Sequence, residues 1–121
     1  MNELIKVLFI GDIVGRPGRN IVKDYLGALG VNTENNPYDF IIANVENASH
    51  GFGLTEKNHK ELGEIGINCF TSGNHIWDKK DVYSYINDSD RLIRPWNYPK
   101  GTYGVGHRIF DVKGTKIAVM N

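Results

Sequence analysis

A single cysteine, Cys69, leaves this chain without the means to build an internal disulfide framework, and that fits a reducing compartment. Charge of one sign is missing too. Lys+Arg and Asp+Glu both number 14, so the formal net charge is zero and no general pull toward nucleic acid or an anionic membrane exists. No apolar run exceeds a handful of residues, which excludes a membrane-spanning helix. Met1-Asn2-Glu3 leads into a strand-like run without the apolar core of a signal peptide, so the expected location is the cytoplasm. Low-complexity tracts and internal repeats are absent. What remains is ordinary for a folded soluble chain of 121 residues, 40% hydrophobic and 23% charged, with glycine abundant at 14.

The order of segments is more telling. Ile5 to Ile10 is apolar apart from Lys6 and reads as a strand buried on both faces. Pro17 suits the first turn of a following helix, in which Ile21, Val22, Tyr25, Leu26 and Leu29 share a face and Gly30 stops the helix. Phe40 to Val45 is a second strand, and Glu46 to Leu54 a Gly-rich loop. Thr55 caps a helix through about Glu64, with Glu56 favoured by the helix dipole. Asn68 to Thr71 is a short third strand. Asp78 with Asp81 resembles a capping box opening a helix through about Ile86. Leu92 to Arg94 reads as a short fourth strand, the stretch 95–106 as an ordered loop, and His107 to Met120 as a hairpin turning at Gly114. Such alternation predicts an α/β fold, a mainly parallel sheet flanked by helices on both faces. The run KIAVMN closes on a buried-looking strand, which suggests the front part of a longer chain.

Three polar clusters stand where the first three strands end: Gly11-Asp12, Glu46-Asn47 and Gly73-Asn74-His75. They are roughly 30 residues apart, the span of one βαβ unit. Carboxyl ends of parallel strands share one edge of a sheet, where ligands bind. A glutamate leaving an apolar strand is costly to bury unless it is paired or metal-bound. Oxygen donors with an imidazole suit Mn²⁺, Fe or Zn²⁺ more than Ca²⁺. In a site with two metals about 4 Å apart, Glu46, at the central cluster, is the natural bridge. The glycines Gly11, Gly15 and Gly18 match neither a dinucleotide fingerprint nor a P-loop.

Taken together, GDIVGRPGR, NVENASHGFGLT, SGNHIWDKK and RPWNYPKGTYGVG resemble the YmdB-type branch of the calcineurin-like metallophosphoesterases over essentially the whole chain. The first motif lacks D-x-H and the second is led by Glu46-Asn47, both as in that branch. The resemblance implies that Asp12 ligates one metal, Glu46 bridges both and Asn74 binds the second. Asn47 and His75 are then the phosphate-facing, catalytic groups, with His75 stabilising the transition state or protonating the leaving oxygen. It implies two metal ions, Mn or Fe first and Zn also compatible. The substrates it implies are phosphodiesters such as 2′,3′-cyclic nucleotides, RNA-derived ones included, and the assembly a homo-oligomer. Residues 1–121 would be one partial domain, the amino-terminal half of the metallophosphoesterase α/β sandwich.

The family completes its metal pair with three later histidines, whereas this chain has only His50, His59, His75 and His107. His50 lies near Glu46 and is a candidate to approach the pocket, while His59 and His107 are expected to be structural. Arg16 and Arg19 either steer phosphate or are solvated at a helix start. Trp77 and Trp96 either stack on a base or pack, and Cys69 is expected to be a buried hydrophobe. Two other readings stay open. One is a phosphate-binding module using the 11–18 loop and a helix N-terminus. The other is an inactive fragment that assembles through the open edge at Lys116 to Met120.

Overall fold

The computed structural model describes residues 3–121; the lead-in at Met1 and Asn2 lies outside them. Three strands, β1 (Val7–Ile10), β2 (Phe40–Asn44) and β3 (Cys69–Thr71), form a parallel sheet in the order β1-β2-β3. The register pairs Leu8 with Ile41, Ile10 with Ala43 and Asn44 with Thr71. Helix α1 (Gly15–Ala28) crosses from β1 to β2 and α2 (Glu56–Glu64) from β2 to β3. A 3-10 helix (Asn74–Asp78) and the short α3 (Val82–Tyr85) follow β3, and the antiparallel hairpin β4 (His107–Val112) and β5 (Thr115–Met120) comes last. No helix among the described residues is long and apolar enough to cross a membrane.

The alternation of side chains along a strand explains the two cores. Ile41, Ala43 and Phe70 point to one face and pack with Val22 and Leu26 of α1, Leu62 of α2, and Val82 and Tyr85 of α3. Phe40 and Cys69 point to the other face, where Val112 and Val119 of the hairpin cover them. All three α-helices therefore lie on one face and the hairpin takes the other, in place of helices on both. The sheet remains a parallel one flanked by helices, as expected.

Individual elements hold up unevenly. Thr55 caps α2, its side chain accepting the Asn58 N–H at 3.2 Å, and Pro17 sits in the first turn of α1. β1 is not buried on both faces. Leu8 and Ile10 pack on the helices, whereas Val7 and Phe9 are 45% and 60% exposed, because β1 is an edge strand and the hairpin does not reach it. The fourth strand reduces to a single parallel bridge between Phe70 and Leu92. Asp78 and Asp81 form no capping box: Asp78 accepts from His75, and Asp81 from the backbone N–H of Glu56. Arg94, buried beneath the 95–106 loop, donates to the carbonyls of Pro95, Thr102, Tyr103 and Gly104, which accounts for that loop's order.

Candidate metal and phosphate site at the strand ends

Parallel register brings the three polar clusters to the same edge of the sheet. Backbone pairing runs past the strands proper, from Ile13 N–H to the Asn44 carbonyl (3.1 Å) and from Val45 N–H to the Thr71 carbonyl (3.0 Å). Asp12, Glu46 and Asn74 are thereby carried to three adjacent ends.

Side chains knit these ends together. Asn47 donates its amide to both Asp12 oxygens, at 3.1 and 3.0 Å. Glu46 accepts from the backbone N–H of His75 at 3.2 Å and from the Asn44 amide at 3.4 Å. The carboxylate lies so close to Gly73 that a Cβ there would be 2.4 Å from each oxygen. Only glycine leaves Glu46 that place. Asn74, next to Gly73 in the chain, makes no side-chain hydrogen bond among the described residues and is exposed. His75 Nδ1 lies 2.7 Å from Asp78, whose carboxylate raises the imidazole pKa above its ordinary value, with further help from the charges of Glu46 and Asp12. Nε2 is then the ring nitrogen left for a ligand.

Hydrogen bonds thus join Asp12 to Asn47 and Glu46 to the backbone of His75, while the Asn74 side chain makes no contact of this kind among the described residues. Sequence reasoning missed three supporting positions. Asn44 shares the strand face of Glu46 two residues away, Asp78 stands one 3-10 turn after His75, and Gly73 makes room. The first two had a spacing signal. Gly73 had none, because its role depends on a carboxylate from another strand.

As a donor set for a cation, two carboxylates and two amides are hard oxygen ligands of the type that suits Mn²⁺ or Fe. The set is short, since no group of three His, Cys, Asp or Glu side chains comes together among the described residues. The other histidines do not complete it. His50 lines a groove between α1 and α2. His59 is packed against Phe70 and Tyr85 with Nε2 2.8 Å from Ser89, and burial depresses its pKa to about 4. His107 stacks on Trp96 with ring centroids 4.5 Å apart, and Trp77 stacks on Tyr83, so neither tryptophan faces the site as a free wall. Cys69 is a buried thiol pushed up to about 12, as expected of a small core residue.

The start of α1 is a poor anion cradle. Gly15 N–H is spent on the Asn47 carbonyl, Pro17 has no N–H and Gly18 N–H bonds Val14. Those bonds hold α1 to the Glu46-Asn47 segment instead.

The chain is similar to several known proteins. It is 46% identical over 117 residues to a Bacillus subtilis protein named 2′,3′-cyclic-nucleotide 2′-phosphodiesterase, covering 97% of this chain and 43% of that protein. It is 38% identical over 126 residues to a Mycoplasma pneumoniae protein described as a putative phosphatase/phosphodiesterase, covering 100% and 43%. Among solved structures, a hypothetical protein from Thermus thermophilus superposes with a TM-score of 0.86 at 38% identity, over 96% of this chain and 44% of that one. A Mycoplasma pneumoniae structure described as a novel phosphatase gives 0.85 at 35% identity, over 99% and 43%. The chain thus spans less than half the length of the relatives it matches. The family model described as YmdB-like protein matches residues 8–121, from the second residue of β1 to the end of the hairpin, and the chain belongs to that family.

Proposed function

We propose that this chain carries one side of a metal-dependent phosphodiesterase site acting on 2′,3′-cyclic nucleotides. The observation that supports it most is the joining of three strand ends by Asn47 to Asp12 and by His75 to Glu46. Asp12 and Asn74 would each hold one metal ion and Glu46 would bridge the two, with the remaining ligands coming from polypeptide beyond these residues. The chemistry the ions supply when bound is activation of water and neutralisation of phosphate charge.

The chain's own residues do the rest. Asn47 holds the Asp12 carboxylate in place and offers an amide to a phosphoryl oxygen. Asp78 fixes Nδ1 of His75 and favours its protonated form. A proton is then held at Nε2 for the oxygen that leaves as the cyclic ester opens. Gly73 keeps the Glu46 carboxylate between the second and third strand ends.

The short donor set is also what a chain without catalysis would show. A chimera separates the two. This chain is placed in the Bacillus subtilis relative in exchange for the segment it matches, and hydrolysis of 2′,3′-cyclic AMP is measured with Mn²⁺. Turnover that is abolished by Glu46→Ala and reduced by Asn47→Ala or His75→Ala supports the enzyme reading. Turnover that survives Glu46→Ala overturns it.

A further inference from the structure

A groove of about 680 Å³ runs between α1 and α2, outside the strand-end site. Arg16, Arg19 and Lys23 line it from α1, Lys57 from α2, and His50 from the loop that follows Glu46-Asn47. Positions 16, 19 and 23 fall on one helical face. The side chains of Arg16, Lys23 and His50 have no hydrogen bond or ion pair among the described residues, and all three residues are exposed. Lys57 pairs with Glu61 at 3.8 Å, whereas Arg16, Arg19 and Lys23 have no acidic partner among the described residues. Glu61 and Glu64 also line the groove, from the carboxyl-terminal half of α2, so four basic side chains face two acidic ones.

Continuity with that site comes through backbone. Arg19 donates to the Ala48 carbonyl at 2.6 Å, one residue from Asn47, and Gly15 N–H donates to the Asn47 carbonyl at 2.9 Å. The α1 wall of the groove is thereby tied to the segment that carries Asn47. From Arg16 to Lys23, α1 rises about 10 Å. That length takes about two or three successive phosphates of a single strand at roughly 3.4 Å or more per nucleotide.

We infer that the groove between α1 and α2 binds the backbone phosphates of a single-stranded RNA whose 2′,3′-cyclic phosphate end occupies the strand-end site. The inference rests on the phosphodiesterase reading for the identity of that end. A cyclic mononucleotide fills the site alone and gives Lys23 and Lys57 nothing to contact. An RNA ending in the same group has every other phosphate on its 5′ side, and those need cations beyond the site. RNA is favoured over DNA because a 2′,3′-cyclic phosphate requires the 2′-hydroxyl.

The test is fluorescence anisotropy of the 121-residue chain with a 5′-fluorescein hexaribonucleotide ending in a 2′,3′-cyclic phosphate. Wild type is compared with Lys23→Gln/Lys57→Gln and with Glu64→Gln, all three shown to melt at similar temperatures. Each lost phosphate contact flattens the slope of log K against log salt by about 0.7, so the double variant should lose about 1.4. Its affinity should fall about tenfold at low salt, whereas Glu64→Gln should tighten binding. Competition by 2′,3′-cyclic AMP should have the same midpoint in chimeras with and without the two substitutions. Unchanged hexanucleotide affinity in the double variant overturns the groove, as does equal loss of mononucleotide binding. Competition by polyglutamate as strong as by RNA overturns it in favour of an acidic protein partner. A groove-dependent salt slope in a chain whose chimera hydrolyses nothing supports RNA binding and refutes only the phosphodiesterase reading.

Discussion

Replacing Gly73 by alanine tests the site without testing the fold. Gly73 has extended backbone angles, φ −154° and ψ −155°, which alanine adopts freely. The added methyl would stand 2.4 Å from both Glu46 oxygens, about 1 Å inside ordinary contact. What must yield is the far end of a flexible side chain held by hydrogen bonds of 3.2 and 3.4 Å, so the stability cost is at most about 1.5 kcal/mol. The functional cost is larger, because a misplacement of about 1 Å in a working group is worth on the order of 100-fold. Thermal melts with and without Mn²⁺ separate the two. At Mn²⁺ equal to about 100 times the wild-type Kd, binding stabilises the native chain by about 2.7 kcal/mol, a rise in Tm of about 10 °C for a domain of this size. A Gly73→Ala site weakened about 100-fold leaves about 0.4 kcal/mol, or about 2 °C. An alanine variant whose melting temperature rises with Mn²⁺ as much as wild type would refute the placement of Glu46 as a ligand.

Three other outcomes follow from the packing. Folding depresses the pKa of His59 from 6.5 to about 4, chiefly through burial, so the unfolded chain binds the extra proton between those values. Stability is then full above pH 6.5 and falls as the pH drops toward 4. The ceiling is about 3 kcal/mol and the ring's partial exposure roughly halves it, so His59→Gln should flatten a urea-melt profile across that window. Thr55→Ala removes the cap on α2 and should cost about 1 kcal/mol in the same assay; no change would mean that Ser49 and Asn58 replace it. Cys69 should resist thiol reagents at about pH 8 until the chain unfolds, and rapid labelling of native protein would contradict its burial.

Local chemistry was legible in the sequence and tertiary neighbours were not. Thr55, Pro17 and Gly114 act through bonds within a few residues, so the starts of α1 and α2 and the β4–β5 turn could be read directly. The strand-end clusters were legible because the βαβ pattern alone puts Asp12, Glu46 and Asn74 on one edge. By contrast, the exposure of Val7 and Phe9 depends on what stands beside β1, and an apolar run does not say whether it lies at the centre of a sheet or at its edge. Asp78 and Asp81 had capping-box spacing, yet their carboxylates are claimed by His75 and by the N–H of Glu56, a partner 25 residues away. Gly73 was opaque for the same reason, since its neighbour Glu46 comes from a different strand.

The most direct test of the central claim, that the three strand ends act as one metal-binding unit, is Mn²⁺ binding followed by electron paramagnetic resonance. Wild type is compared with Asp12→Asn, Glu46→Gln and Asn74→Ala. The account predicts that each substitution weakens the same Mn²⁺ signal at least about tenfold, with Glu46→Gln the most severe. Mn²⁺ bound with wild-type affinity by all three variants would contradict it.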